Sequence, residues 1–276
     1  MSNAAPRPTA GVGVAMIGGG RMASALAEGF CRAGLLPADA ITVYDPATPA
    51  RQALAASLPG VRFADTPAEA AATAEIVWLA VKPQQAAEAC SGIKAVMPGR
   101  TLVSILAGLS TPALASLSGT PRVIRVMPNT PCLVGRGVSV VCKTPEVPAD
   151  VASRVNQLLA AVGHVHEAEE SLLNAVTGLS GSGPGFLALV VEALATGGER
   201  AGLPRPLALA LAVQTLEGTG ALLEQTGEEP AVIRDRVSSP GGTTLAGLAV
   251  MTERGVPEAI AAAVEAASAR AAVLGR

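Results

Sequence analysis

Residues 12–30 read VGVAMIGGGRMASALAEGF. An apolar run ends in three glycines, and small apolar residues at helical spacing follow at once. VGVAMIGG (12–19) fits a strand buried on both faces, and RMASALAEGFCRAG (21–34) fits a helix. Gly18, Gly20 and Ala23 fall in a G-x-G-x-x-A pattern between the two. The first glycine makes the tight turn, the second lets a pyrophosphate approach the backbone, and the small third residue lets helix and strand pack closely. The helix start adds free N–H groups and a positive dipole end. The expectation is a dinucleotide site at Ile17, Gly18, Gly19, Gly20, Arg21 and Met22.

The alternation continues outward. Short strands are predicted at AITVYDP (40–46), VRFA (61–64), EIVWLAVKP (75–83), TLVSILAG (101–108), RVIRVMPN (122–129), GVSVVCK (137–143) and GHVHEA (163–168). Helical segments fall between them, one opened by a capping box of Thr66 and Glu69 with Pro67 at the first helical position. Strands alternating with helices imply a doubly wound parallel sheet. After about residue 167 the strand signals stop, and helices are predicted at 169–180, 184–201, 205–226, 229–237, 243–254 and 257–273. The division is therefore an α/β domain over 1–167 and an all-helical one over 168–276. The stretch MSNAAPRPTAG (1–11) reads as a short flexible lead.

Composition narrows the function classes. The 276 residues are 50% hydrophobic, only 2% aromatic and 15% charged, with a net charge of −2. So little polar skin implies apolar surface covered by another subunit. No basic block or aromatic–basic interleaving points to nucleic acid. Judged by unbroken apolar runs, no stretch spans a membrane; the most apolar one, FLALVVEALATGG (186–198), is broken by Glu192. Cys31, Cys90, Cys132 and Cys142 match no metal or redox spacing; they fit buried small hydrophobes and a reducing, cytoplasmic location. No His/Asp/Glu/Cys cluster suggests a metal, and the only histidines, His164 and His166, share one side of a short strand.

Two groups of residues carry the remaining chemistry. Ala80, Val81, Lys82 and Pro83 end one strand, Ala107 and Gly108 another, and VMPNTP (126–131) a third, all at the carboxyl edge where ligands of such sheets bind. Asp45 stands where an acid binds a ribose 2′-OH, which favours NAD. Thr48 and Arg51 are close enough to cradle a 2′-phosphate, so both dinucleotides stay open. The second group is SSPGGTT (238–244), a helix start without charge. Ser239, Gly241, Gly242, Thr243 and Thr244 offer main-chain N–H groups and hydroxyls suited to a small carboxylate. TGLSGSGPGF (177–186) reads as a similar turn between helices, with Ser180, Ser182 and Gly183 ended by Pro184. No nucleophile–base pair stands out, so the chemistry fits hydride transfer to an already activated C=N bond.

These pieces, in this order, resemble the pyrroline-5-carboxylate reductase family. The motifs are MIGGGRMASAL, AVKPQ, SILAG, RVMPNTP, AVTGLSGSGPGF, QTLEGT and RDRVSSPGGTTLAGL, covering nearly the whole chain. The resemblance implies an α/β fold: an N-terminal Rossmann-like doubly wound parallel sheet followed by an all-α dimerisation domain. It implies a homodimer built into a larger homo-oligomer, with NADPH (or NADH) as hydride donor and 1-pyrroline-5-carboxylate as the small-molecule substrate. It places Ile17 to Met22, Asp45, Ala80 to Pro83, Ala107 and Gly108 on the cofactor, and Ser239 and Gly241 to Thr244 on the substrate. Thr244 would hydrogen-bond the ring nitrogen and donate the proton. Three positions depart from the family pattern: Pro67 where an asparagine is common, Phe186 where a tyrosine is, and Asn174 where an acid is. Rival expectations are a reductase of another cyclic imine, and a non-catalytic NAD(P)H-sensing module. A β-hydroxyacid reductase would need a lysine in the helical part, and the last one here is Lys143.

Overall fold

The computed structural model describes residues 13–274; the N-terminal lead lies outside them. The eight strands are β1 (Val14–Ile17), β2 (Ile41–Tyr44), β3 (Arg62–Phe63), β4 (Ile76–Leu79), β5 (Thr101–Ser104), β6 (Val123–Met127), β7 (Gly137–Lys143) and β8 (Gly163–Glu167). They form one sheet in the order β3-β2-β1-β4-β5-β6-β7-β8. Neighbours from β3 to β6 are parallel, β6 and β7 are antiparallel, and β7 and β8 are parallel. The first strand lies mid-sheet, the chain winds outward from it to β3, then crosses back to β4. That reversal beside β1 is the switch point at which such sheets bind ligands.

Six helices cover the sheet: α1 (Arg21–Arg32), α2 (Thr48–Ser57), α3 (Pro67–Ala72), α4 (Ala86–Ile93), α5 (Thr111–Ser118) and α6 (Ala149–Ala160). Alternate residues of a strand face opposite sides. Val14 and Met16 of β1 and Ile76 and Trp78 of β4 therefore join one core, with Leu26 and Phe30 of α1 and Val155 of α6. Ala15, Ile17, Val77 and Leu79 join a second, with Cys90 and Ile93 of α4 and Leu114 of α5. Burial on both faces is why these strands read as unbroken apolar runs. Trp78, fully buried, lies 5.6 Å from Phe30, centroid to centroid.

Three of the four cysteines are buried as the sequence suggests, and Cys31 is half-buried. All four are free thiols. Desolvation pushes Cys90 and Cys142 up to about 11 and raises Cys31 and Cys132 as well, so none offers a thiolate at neutral pH. The capping box of α3 is present. Thr66 Oγ1 accepts from the Glu69 N–H at 3.2 Å, and Glu69 Oε2 accepts from the Thr66 N–H at 3.2 Å. Thr66→Ala is expected to lower stability by about 1 kcal/mol in urea titrations, since one orphan N–H of α3 loses its acceptor.

Beyond β8 come a 3-10 turn (Glu170–Leu172), α7 (Leu173–Val176) and a π-helical turn (Thr177–Gly181). Then follow α8 (Gly183–Arg200), α9 (Arg205–Thr226), α10 (Pro230–Arg236), α11 (Thr243–Glu253) and α12 (Val256–Leu274). Two compact units result: one reaches Gly181 and takes in the chain from Ala267, the other is Ser182–Ala266. Leu173 belongs to the first, packed with Val140 and Cys142 of β7.

A buried charge pins this junction to the sheet. Arg125 of β6 is 4% exposed, and its guanidinium lies 3.4 Å from Glu170 and 3.5 Å from Asn174 Oδ1. Glu170 also accepts from the Thr111 N–H at 2.5 Å and from Thr111 Oγ1 at 2.6 Å, where α5 begins.

In the second unit α8 and α9 pack through Val191, Ala195, Ala208 and Ala212. Outside that small seam, large side chains such as Leu189, Leu194, Leu209, Leu211 and Met251 stand exposed. The expectation drawn from unbroken apolar runs is corrected here. Glu170–Arg200 and Arg205–Thr226 are helices long and apolar enough to cross a membrane by length and composition. A helix tolerates an isolated charge such as Glu192 within a long apolar window, which a count of unbroken runs misses.

Candidate active site

The carboxyl ends of β1, β2 and β4 open onto a cleft of about 380 Å³. Ile17, Gly18, Gly20, Asp45, Ala80, Val81 and Lys82 line it, as the sequence leads one to expect. Gly18 has φ +102°, and an added Cβ would lie 2.6 Å from the Ala80 carbonyl oxygen, so only glycine fits. Its N–H donates to the Tyr44 carbonyl at 2.8 Å. Gly20 caps α1 with nothing within 4 Å of its Cβ position, and no side chain caps the helix. An open glycine followed by uncapped N–H groups is the cradle a pyrophosphate requires, so the residues present fit a dinucleotide.

Other expected residues stand beside the cleft. Gly19 is buried and gives its N–H to Asp45 Oδ2 at 2.7 Å. Arg21 is exposed at the first position of α1, and Met22 packs against the first core. Pro83, Ala107 and Gly108 follow β4 and β5 but do not line this cleft. Asp45 proves to be a brace: Oδ1 also accepts the Ala47 N–H at 2.8 Å, tying the glycine turn to the start of α2. Tyr44, Pro46, Ala47, Ala50, Pro67, Gln85, Glu88 and Ala89 complete the lining and were missed. Tyr44 ends β2, and the others lie in the turns and helices that follow β2, β3 and β4; the family departure at Pro67 was the only pointer to them.

The second group lies in the second unit. Gly241 has φ +71° and open space at its Cβ position. Gly242 is the N-cap of α11, and no side chain caps it. A Cβ on Gly242 would meet Ser239 Oγ at 2.4 Å. The first N–H groups of α11 have no intrahelical acceptor. The hydroxyls of Ser239, Thr243 and Thr244 have no hydrogen-bond partner among the described residues. Ser239 and Thr243 are exposed, and Thr244 is half-buried. The predicted helix start is therefore present, with donors free.

The turn expected at 177–186 is not there. Thr177–Gly181 is a π-helical turn, and α8 starts at Gly183 with Pro184 in its first turn, where a missing N–H costs nothing. Thr177 Oγ1 donates to the Leu173 carbonyl at 2.7 Å and Ser180 Oγ to the Val176 carbonyl at 3.1 Å. Asn129, buried in the turn after β6, donates Nδ2 to the Ser180 carbonyl at 3.2 Å and accepts the Val138 N–H at 2.9 Å. A Cβ on Gly181 would lie 2.6 Å from Met127 Cε. Glycine-rich and serine-rich sequence stays helical here because the sheet side holds it. Such π-turns inside helices are frequent at functional sites. His164 and His166 are exposed on β8, and no cluster of metal-ligating groups occurs among the described residues.

Comparison with known proteins agrees with this arrangement. The family model described as pyrroline-5-carboxylate reductase dimerisation matches residues 170–274. The one described as NADP oxidoreductase coenzyme F420-dependent matches residues 13–108. A pyrroline-5-carboxylate reductase of Synechocystis is 41% identical over 95% of this chain and 97% of its own. One of Arabidopsis thaliana is 41% identical over 88% of each. The crystal structure of Plasmodium falciparum pyrroline carboxylate reductase with NADP bound superposes with a TM-score of 0.89, at 29% identity, covering 98% of this chain and 100% of that one.

Proposed function

This chain belongs to the pyrroline-5-carboxylate reductase family, and on that premise we infer that it reduces 1-pyrroline-5-carboxylate to L-proline with NADPH or NADH. One observation carries the reading: a single chain holds an open glycine cradle at Gly18–Gly20 and an uncapped, hydroxyl-flanked helix start at Gly242–Thr244. The first suits a dinucleotide, the second a small carboxylate. We assign nucleotide binding to residues 1–167, and substrate binding and dimerisation to 168–276.

A bound reduced nicotinamide supplies the hydride. The chain supplies orientation and the proton. Gly18, Gly20 and the start of α1 would hold the pyrophosphate and Ala80 to Lys82 would line the cofactor inside the cleft, with Pro83, Ala107 and Gly108 meeting the part of it that reaches beyond. The N–H groups of Thr243 and Thr244, at the positive end of α11, hold the substrate carboxylate, flanked by Ser239, Gly241 and Gly242. The Thr244 hydroxyl meets the ring nitrogen. Hydride addition at the imine carbon would move the C=N π pair onto nitrogen; a nitrogen not yet protonated would take the Thr244 hydroxyl proton, which solvent water would replace. A protonated imine is already electrophilic, so no strong acid is required beside it.

Mixing the protein with 1-pyrroline-5-carboxylate and following loss of reduced-cofactor absorbance tests this directly. Oxidation with proline as product is expected; binding of both nucleotides without oxidation of either would overturn the reading. Thr244→Ala is expected to lower kcat on the order of 100-fold, with nucleotide affinity unchanged, as loss of a positioned proton donor does. Intact turnover in that variant would remove Thr244 from this role.

Two copies meet through the exposed apolar side chains of α8, α9 and α11, and these dimers assemble further, in the cytoplasm. Apolar area of this extent on a water-facing helix pair calls for a cover, and the region matches a dimerisation model. Sedimentation as a monomer at micromolar concentration would refute this assembly.

A further inference from the structure

The end of the cleft above β2 carries a charge pattern that discriminates between dinucleotides, given the nicotinamide-dependent reading above. Its lining there is Tyr44 to Ala47, Ala50 of α2 and Pro67 of α3. Among the described residues, the charged groups lining the whole cleft are Asp45, Lys82 and Glu88. Lys82 follows β4, which lies on the far side of β1 from β2. Among the described residues the β2 end therefore contributes a carboxylate and no cation.

That carboxylate is fixed. Asp45 Oδ2 holds the Gly19 N–H at 2.7 Å and Oδ1 the Ala47 N–H at 2.8 Å, so it has no freedom to swing aside. Each oxygen keeps a second lone pair, which suits a hydroxyl donor. In sheets of this kind the acid after the second strand meets the ribose nearest the adenine. A free 2′-hydroxyl donates to it, whereas a 2′-phosphate brings about −1.5 to −2 charges against it at pH 7. The nearby cation on α2, Arg51, lies 5.1 Å over the Phe63 ring and 3.8 Å from Asp65, and does not line the cleft.

We propose that Asp45 is the specificity-determining residue for the cofactor and that this enzyme takes NADH in preference to NADPH. Calorimetric titration without substrate tests it, using NADH, NADPH, AMP and adenosine 2′,5′-bisphosphate. NADH is expected to bind at least about ten-fold more tightly than NADPH, the cost of opposing one fixed charge at short range, and AMP more tightly than the bisphosphate. Asp45→Asn and Asp45→Ser are expected to narrow that ratio, while Arg51→Ala leaves it unchanged. NADPH binding as tightly as NADH in the unaltered protein overturns the proposal and leaves the reductase reading intact. So does an unchanged ratio in both Asp45 variants, or selective loss of NADPH in Arg51→Ala, which would put the guanidinium on the phosphate. Should a variant's glycine turn fail, the unaltered protein and the AMP pair still decide the preference. Binding of neither dinucleotide would instead overturn the reductase reading itself.

Discussion

Gly18→Ala is expected to abolish nucleotide binding and to lower stability together. At φ +102° a side chain is strained, by about 1–3 kcal/mol for a residue held in a sparsely populated region. The new methyl would also lie 2.6 Å from the Ala80 oxygen, 2.8 Å from the Ala80 carbonyl carbon and 3.0 Å from the Val81 nitrogen. All three are main-chain atoms, so no side chain can rotate out of the way. Relief comes only by opening the glycine turn or by displacing Ala80–Val81, and both walls line the same cleft. Nucleotide affinity should fall by on the order of 100-fold or more, the scale of a misplacement of about 1 Å. Gly20→Ala is the informative partner. Its φ of −72° suits alanine and its Cβ position is empty. That variant should keep its stability within about 1 kcal/mol, the N-cap difference between the two residues, yet lose the nucleotide, because the methyl fills the approach to the backbone. A Gly18→Ala protein with unchanged melting temperature and affinity would contradict this account of the turn.

Glu170→Ala should be strongly destabilising, by about 3 kcal/mol, the lower end of the cost of leaving a buried charge unpaired, since Arg125 is buried while the Glu170 side chain is 31% exposed. Arg125 would keep only Asn174 Oδ1, at 3.5 Å, and both donors of Thr111 at the start of α5 would lose their acceptor. Glu170→Gln, which keeps an acceptor for Thr111 and removes the charge, should fall between alanine and the unaltered protein. The comparison pair is Lys143 and Glu167, 3.1 Å apart at the surface with side chains 37% and 56% exposed. Breaking it should cost under about 1 kcal/mol. Denaturant titrations of the three variants separate these cases; equal losses for Glu170→Ala and Glu167→Ala would show that the buried charge is not what holds the junction.

The parallel sheet was legible because strands buried on both faces leave unbroken apolar runs, and glycine or proline marks where each one stops. The π-turn at Thr177–Gly181 was not legible. Its composition is that of a turn, and the groups that keep it helical, Asn129 and Met127, lie some fifty residues earlier in the chain. The dual use of Asp45 was half visible: an acid after β2 suggested a ribose partner, and the carboxylate also braces two main-chain N–H groups. The helices showed no clear polar face because a large part of their apolar surface is not covered within one chain. The far wall of the cleft, from Gln85 to Ala89, was hidden for a different reason. It is made by whatever follows a strand, with no residue pattern of its own.

Trp78, fully buried against Phe30, is the chain's single tryptophan, and the single tyrosine, Tyr44, sits on the neighbouring side of β1. Nearly all the near-ultraviolet chromophore is thus on the nucleotide-binding sheet, and the Ser182–Ala266 unit has only Phe186. Intrinsic emission is blind to about a third of the molecule, the Ser182–Ala266 unit. A denaturation curve followed at tryptophan wavelengths reports the sheet, while far-ultraviolet ellipticity is weighted towards the helices. Where the two curves separate, loss of the helices and unfolding of the sheet are distinct events, and a single midpoint would misdescribe both.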